Sequence, residues 1–137
     1  MKPTVSHPSD ISDLITPPMP PGVDTGRPCD KYHDGSIKRY AVPAAARRSV
    51  ALRYGAIPGE TTDAKCQYCR NRGQIHWPRL YGGRPGAWVQ FVDLSLDHVV
   101  PYSLGGCHRS PENLVLACKS CNSSKGQRVL ADWLACR

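Results

Sequence analysis

No apolar run in this chain approaches the roughly 20 residues that a membrane-crossing helix requires, which excludes a membrane span. Nor does the opening MKPTVSHPSD hold the apolar core of a signal peptide, and Pro17, Pro18, Pro20 and Pro21 interrupt the residues after it. A reducing cytoplasm is therefore the expected compartment. Length is short as well. Of the 137 residues, the first 28 carry seven of the thirteen prolines and little apolar periodicity. That leaves about 100 residues for one compact domain, a size that buries a modest core and often needs a metal or disulfides to hold its loops.

Acidic residues are scarce beyond the first quarter of the chain. Residues 1–36 hold three basic and five acidic side chains, whereas the remainder holds 15 basic and 6 acidic, a net +9. Such an excess attracts polyanions, nucleic acid first among them. What is plentiful for the length is cysteine, seven in all. Cys66 with Cys69, and Cys118 with Cys121, form two Cys-x-x-Cys pairs, while Cys29, Cys107 and Cys136 are scattered and read as buried thiols by default. In a reducing setting, two separated pairs favour thiolate ligation of zinc over disulfides. Four thiolates saturate a tetrahedral ion, leave no position for water, and make the zinc structural.

Three parts are expected along the chain. Residues 1–36 read as a flexible Pro-rich tail, with PPMPPG its least foldable piece. Residues 37–65 read as a basic helix and linker: PAAARRSVALRY has proline suited to a first turn, good helix formers, and Gly55 placed for a C-terminal cap. Arg47, Arg48 and Arg53 on it face either a phosphate backbone or solvent, and AIPGETTDAK after it reads as a loop. Residues 66–137 hold the rest. AWVQFVDLSL alternates enough to predict one or two strands, preceded by a Gly-rich turn at Gly82, Gly83 and Gly86. With Arg79, Arg84, Trp77, Tyr81 and Trp88 around it, that turn suits either a groove-entering finger or a hairpin with Trp77 and Trp88 in the core; for Trp88 the core is expected. ENLVLAC predicts a strand, KSCNSSKG a helix start, and QRVLADWLACR a closing helix with Val129, Leu130, Trp133 and Leu134 on one face.

Chemistry must come from outside the saturated thiolate set. Asp97 offers a hard anionic oxygen and Asn122 a neutral carbonyl oxygen, a pair suited to Mg²⁺. His98, beside Asp97, can take a proton from an attacking water, because an imidazole titrates near about 6.5.

The spacing from His98 to Asn113 is fifteen and from Asn113 to Asn122 nine. With LDHVVPYSLGG, ENLVLACKSCN, the following SSKG and the paired cysteines, it resembles the HNH endonucleases, over roughly Cys66 to Gly126. The resemblance implies an α+β fold with a ββα-metal (His-Me finger) core, stapled by the Cys66, Cys69, Cys118 and Cys121 zinc site and flanked by a preceding and a C-terminal helix. It implies His98 as general base, Asp97 and Asn122 as ligands of a catalytic Mg²⁺ or Mn²⁺, and Asn113 as the asparagine that braces the loop and orients the base. Asn122 stands where many members have histidine, and an amide oxygen favours Mg²⁺ or Mn²⁺ over softer ions.

The activity implied is hydrolysis of phosphodiester bonds in double-stranded DNA, leaving 5′-phosphate and 3′-hydroxyl ends. Lys125, Arg109, Arg84, Arg47 and Arg48 are the candidate DNA contacts. Small proteins with this core resemble phage or mobile-element nucleases, acting in the cytoplasm of a bacterium or an infected host. So little chain outside the core predicts weak sequence specificity, or a homodimer mate or protein partner that supplies it. Two other readings use the same residues: a DNA-binding module without turnover, and a zinc-ribbon scaffold for protein partners. The second leaves the basic excess and the asparagine spacing without a purpose.

Overall fold

A computed structural model describes Leu14 and residues 16–22, 42–107 and 109–136. Most of the expected tail, with His7, His33 and Cys29, lies outside the described residues, as does His108. Among the described residues no helix is long and apolar enough to cross a membrane.

The first helix, α1, runs Ala44–Arg53, with Pro43 before it and Gly55 in a left-handed conformation (φ 89°) just past its end. Three antiparallel strands follow as one sheet in the order β1 (Thr61–Lys65), β2 (Arg72–His76) and β3 (Gln90–Val92). The segment read as a loop after the helix thus includes a strand, because TTDAK finds a partner in RGQIH. AWVQFVDLSL splits in two. Asp93, at a positive φ of 62°, breaks the run, so Gln90–Val92 stays with the first sheet while β4 (Ser95–His98) leaves it. β4 pairs antiparallel with β5 (Leu114–Ala117), placing Asp97 opposite Val115 and His98 opposite Leu114. Helices α2 (Lys119–Lys125) and α3 (Leu130–Ala135) complete a small α+β fold.

One core joins these pieces. Val50, Tyr54, Ile75, Leu114 and Leu116 are almost fully buried within it, alongside Ala64, Val89 and Trp133. Each large aliphatic side chain contributes roughly 1.5–3 kcal/mol by leaving water. From α3 only Trp133 and Leu130 join the core, whereas Val129 and Leu134 stay about half exposed, so the expected four-residue face is narrower. Trp88 departs from its expected core position in the same way. It is 45% exposed and carries the Arg47 guanidinium 4.4 Å from its ring, whereas Trp77 is buried and donates to the Gly86 carbonyl at 2.8 Å.

The arginines of α1 are mostly used within the fold. Arg47 donates from Nε and Nη2 to the Val89 carbonyl (3.0 and 2.8 Å), and Arg48 to that of Ala87 (2.6 Å). Arg53 donates to the carbonyls of Pro111 and Leu114. A guanidinium has five N–H donors in a fixed fork, so it can satisfy loop carbonyls that no strand reaches. These contacts pin the helix to β5 and to the segment before β3.

The proline segment also packs. Pro17 is buried and its carbonyl accepts from Gln67 Nε2 at 3.1 Å, while the Gly22 N–H donates to the Glu112 carbonyl at 3.2 Å. PPMPPG is therefore a strap from the first cysteine turn to the loop before β5, rather than loose tail. Proline favours such an extended path because its φ is fixed in advance.

Candidate active site and metal knuckle

The first cysteine pair forms the turn between β1 and β2. Cys66 N–H donates to the Asn71 carbonyl at 2.8 Å and Arg70 N–H to the Cys66 carbonyl at 3.1 Å, with Arg70 itself left-handed (φ 67°). The second pair opens α2, where Cys118 caps the helix by accepting from Cys121 N–H at 3.4 Å. A further N–H, from Tyr68, points at Cys66 Sγ at 3.4 Å. All four sulfurs lie within 4.8 Å of one another, and no two are bonded. A tetrahedron with metal–sulfur distances of about 2.3 Å has edges of about 3.8 Å, so these sulfurs fit one ion of zinc's size and softness. Burial pushes the Cys118 thiol up, but the Cys121 N–H and the sulfurs of Cys69, Cys121 and Cys66 outweigh it and bring it down to about 7. Burial holds Cys69 and Cys121 above the ordinary thiol range. A dication among them would stabilise the thiolates together.

Beside this knuckle, β4, α2 and the segments that follow each of them line a polar cavity of about 90 Å³, through Leu96, Asp97, His98, Pro101, Asn122, Gly126 and Gln127. β4 ends at His98, and the cavity lies at that strand end, so Asp97 and His98 both reach it. The Asn122 amide nitrogen donates to Ser95 Oγ at 2.9 Å and to the Leu96 carbonyl at 3.4 Å. With its nitrogen held by the strand, its oxygen is the atom left for the cavity.

Asp97 is 4% exposed and accepts from two elements. Tyr68 Oη, from the first cysteine turn, donates to Asp97 Oδ2 at 2.7 Å. Lys125 Nζ, from α2, lies 3.3 Å from Oδ2 and 3.5 Å from Oδ1, and also donates to the His98 carbonyl at 2.7 Å. Lys125 has no exposed surface at all, which corrects its expected place against a DNA phosphate. It pairs inward because Asp97 is the buried anion within reach, and a buried ammonium must be paired. Burial, then the nearby Asp97 charge, push the Tyr68 hydroxyl far up, so it remains a donor.

Asn113, wholly buried in a short 3₁₀ turn at Pro111–Asn113, organises the loop that follows His98. Its Oδ1 accepts from Val100 N–H at 2.9 Å, and its Nδ2 donates to the carbonyls of Val100 (3.1 Å) and Cys107 (2.8 Å). Its own carbonyl accepts from Val99 N–H at 2.8 Å. Gly106 lets the loop close: a Cβ there would sit 1.8 Å from the Val100 carbonyl oxygen. Sequence reasoning singled out Asp97, His98, Asn113, Asn122 and the four cysteines. It missed Tyr68, Ser95 and the inward role of Lys125, and the aromatic between two cysteine ligands was the one available signal. Of the expected DNA contacts, Arg84 and Arg109 are exposed, whereas Arg47 and Arg48 are half-buried with their guanidinium groups on backbone carbonyls.

Asp97, His98 and Asn122 thus line one polar cavity next to the cluster of four cysteines. Residues 66–128 match the family model of the HNH endonucleases, and over that span the chain carries an HNH endonuclease domain. It is also similar to a CRISPR-associated endonuclease Cas9 from Corynebacterium diphtheriae, 40% identical over 86 residues. That alignment covers 63% of this chain and 6% of the relative, so the chain spans only a small fraction of the relative's length. No solved structure matches the chain.

Proposed function

We propose that this protein is a DNA endonuclease that hydrolyses a phosphodiester bond with His98 as general base and a divalent ion held by Asp97 and Asn122. β4, β5 and α2 are read as its ββα-metal core, and the four cysteines as a structural zinc site. What carries the reading is the convergence of Asp97, His98 and Asn122 on one polar cavity, on a chain whose HNH domain spans those positions.

The donor set fits a hard dication. An ionised carboxylate accepts at about four lone-pair sites, so Tyr68 and Lys125 do not exhaust Asp97, and Asn122 adds a neutral oxygen. Two hard oxygens suit Mg²⁺ or Mn²⁺. When bound, such an ion stabilises the charge that builds up on the phosphate and the departing 3′-oxygen. The Lys125 ammonium beside the same carboxylate offsets part of its charge, and a phosphodiester bound in the cavity adds negative charge that favours the ion. His98 takes the proton of the attacking water, and Asn113 fixes the loop from Val99 to Cys107 that continues from it. Arg84 and Arg109 serve as backbone contacts on double-stranded DNA, and the wider excess of basic residues draws the polyanion in. A homodimer mate or another protein supplies whatever specificity the small domain lacks.

The ends of the cut strand test this chemistry. DNA cut with Mg²⁺ or Mn²⁺ should be resealed by a ligase without prior phosphorylation, as 5′-phosphate and 3′-hydroxyl ends allow. Ends that need a kinase or a 3′-phosphatase first would refute the assignment. Tight DNA binding with no cleavage under any divalent ion would favour the binding module.

A further inference from the structure

We propose that Tyr68 is a positioning residue through which the cysteine knuckle sets the orientation of the Asp97 carboxylate, and hence the affinity of the cavity for a divalent ion. The inference rests on the reading of Asp97 as a metal ligand.

Tyr68 lies between Cys66 and Cys69, so its backbone is fixed by the same turn that presents two sulfurs. Its N–H donates to Cys66 Sγ at 3.4 Å, and its hydroxyl reaches Asp97 Oδ2 at 2.7 Å. The ring packs edge-on with Trp133, with centroids 4.9 Å apart and planes at 81°. Trp133 is in turn tied to α2 through Nε1 to Ser124 Oγ at 3.0 Å.

The other group on the carboxylate, Lys125, belongs to α2, and α2 begins with Cys118 and Cys121. Each donor to Asp97 is thus carried by an element that also carries two of the four sulfurs. Closing the knuckle brings the β1–β2 turn and α2 together, and the same movement brings Tyr68 and Lys125 onto one buried carboxylate, where both meet Oδ2. The knuckle therefore does more than hold the fold: it aims an oxygen. Partners of this kind, which hydrogen-bond a ligand without touching the ion, typically change metal affinity 10- to 100-fold when removed.

The test is Tyr68→Phe in the full chain, which removes one oxygen and leaves the ring against Trp133. Three quantities are read: zinc content, thermal melting, and Mn²⁺ binding by electron paramagnetic resonance without DNA, with Mn²⁺-dependent plasmid cleavage as a fourth. The expected result is full zinc, cooperative melting, and Mn²⁺ binding weakened on the order of tenfold. Cleavage should recover at high Mn²⁺, whereas His98→Ala should bind Mn²⁺ like the wild type and stay inactive.

Unchanged Mn²⁺ binding in Tyr68→Phe, beside metal-dependent cleavage by the wild type, would overturn the role of Tyr68 and leave the nuclease reading intact. Loss of zinc or of cooperative melting would make the hydroxyl a fold contact and overturn it as well. A wild type that neither binds Mn²⁺ nor cuts DNA would remove the nuclease reading and this inference with it.

Discussion

Asn113→Ala should cost this protein much of its stability and should do so through one loop. The side chain is wholly buried and among the described residues makes three hydrogen bonds, to both backbone groups of Val100 and to the carbonyl of Cys107. Truncation deletes all three and supplies nothing in return. An ordinary internal bond is worth about 1 kcal/mol net, and a buried group left unpaired costs about 1–3 kcal/mol. Three bonds at about 1 kcal/mol each and one group left unpaired at about 1–3 kcal/mol come to about 4–6 kcal/mol, against a total of about 5–15 kcal/mol for a typical domain. At about 4–8 °C per kcal/mol for a domain of this size, melting should fall by about 15–50 °C.

Local opening of residues 99–107 could relieve part of that loss, and amide hydrogen exchange separates the two outcomes. Protection should fall first in that loop, while the β1–β2 turn and the metal content of the cysteine cluster are unchanged. The isostere Asn113→Asp sharpens the argument. Its carboxylate can still accept from Val100 N–H but faces two carbonyl oxygens where the amide had donated. That raises the folded-state pKa of the new group above its unfolded value, so the penalty is full at neutral pH and shrinks as pH falls through the folded value. An Asn113→Ala protein with wild-type melting and wild-type exchange in the loop would refute the bracing role.

Cys118→Ser should lower zinc content and melting temperature together, because it removes both a ligand and the cap of α2; full zinc with unchanged melting would contradict a structural metal. Lys125→Met strands the buried Asp97 charge and should destabilise the fold by about 3–5 kcal/mol, with the double variant Asp97→Asn, Lys125→Met recovering much of that in urea titrations. Equal stability of the single variant and the wild type would show that the pair is not formed. Gly106→Ala places a methyl 1.8 Å from the Val100 oxygen, so the loop must move. Exchange protection over 99–107 should drop even though the rest of the domain melts cooperatively.

Much of the site was legible because its parts depend on local spacing. Two cysteines three apart on a tight turn present two sulfurs whatever surrounds them, and ENLVLA followed by KSCNSSK reads as strand then helix from its own apolar run and polar start. The rest depended on contacts between distant segments. Nothing in SSKG tells a buried lysine from a solvated one, since the difference is made by Asp97, 28 positions earlier. The α1 arginines read as facing either phosphate or solvent because the carbonyls they meet, at Ala87, Val89, Pro111 and Leu114, come from later loops and strands. PPMPPG looked unfoldable because proline-rich chain has no internal hydrogen bonds, and its partner, Gln67, lies fifty residues on. The break at Asp93, which sends one apolar run into two sheets, leaves no mark in the alternation itself.

The central claim is metal-dependent strand cleavage with His98 as the base, and plasmid relaxation tests it most directly. Supercoiled DNA is incubated with the wild type and with His98→Ala in parallel, with Mg²⁺, with Mn²⁺ and with EDTA, after both proteins are shown to hold equal zinc and to shift DNA equally in a gel. The account predicts nicked or linear product from the wild type with either divalent ion, none with EDTA, and none from His98→Ala. Undiminished cutting by His98→Ala, or no cutting by a wild type that is folded, zinc-loaded and bound to DNA, would contradict it.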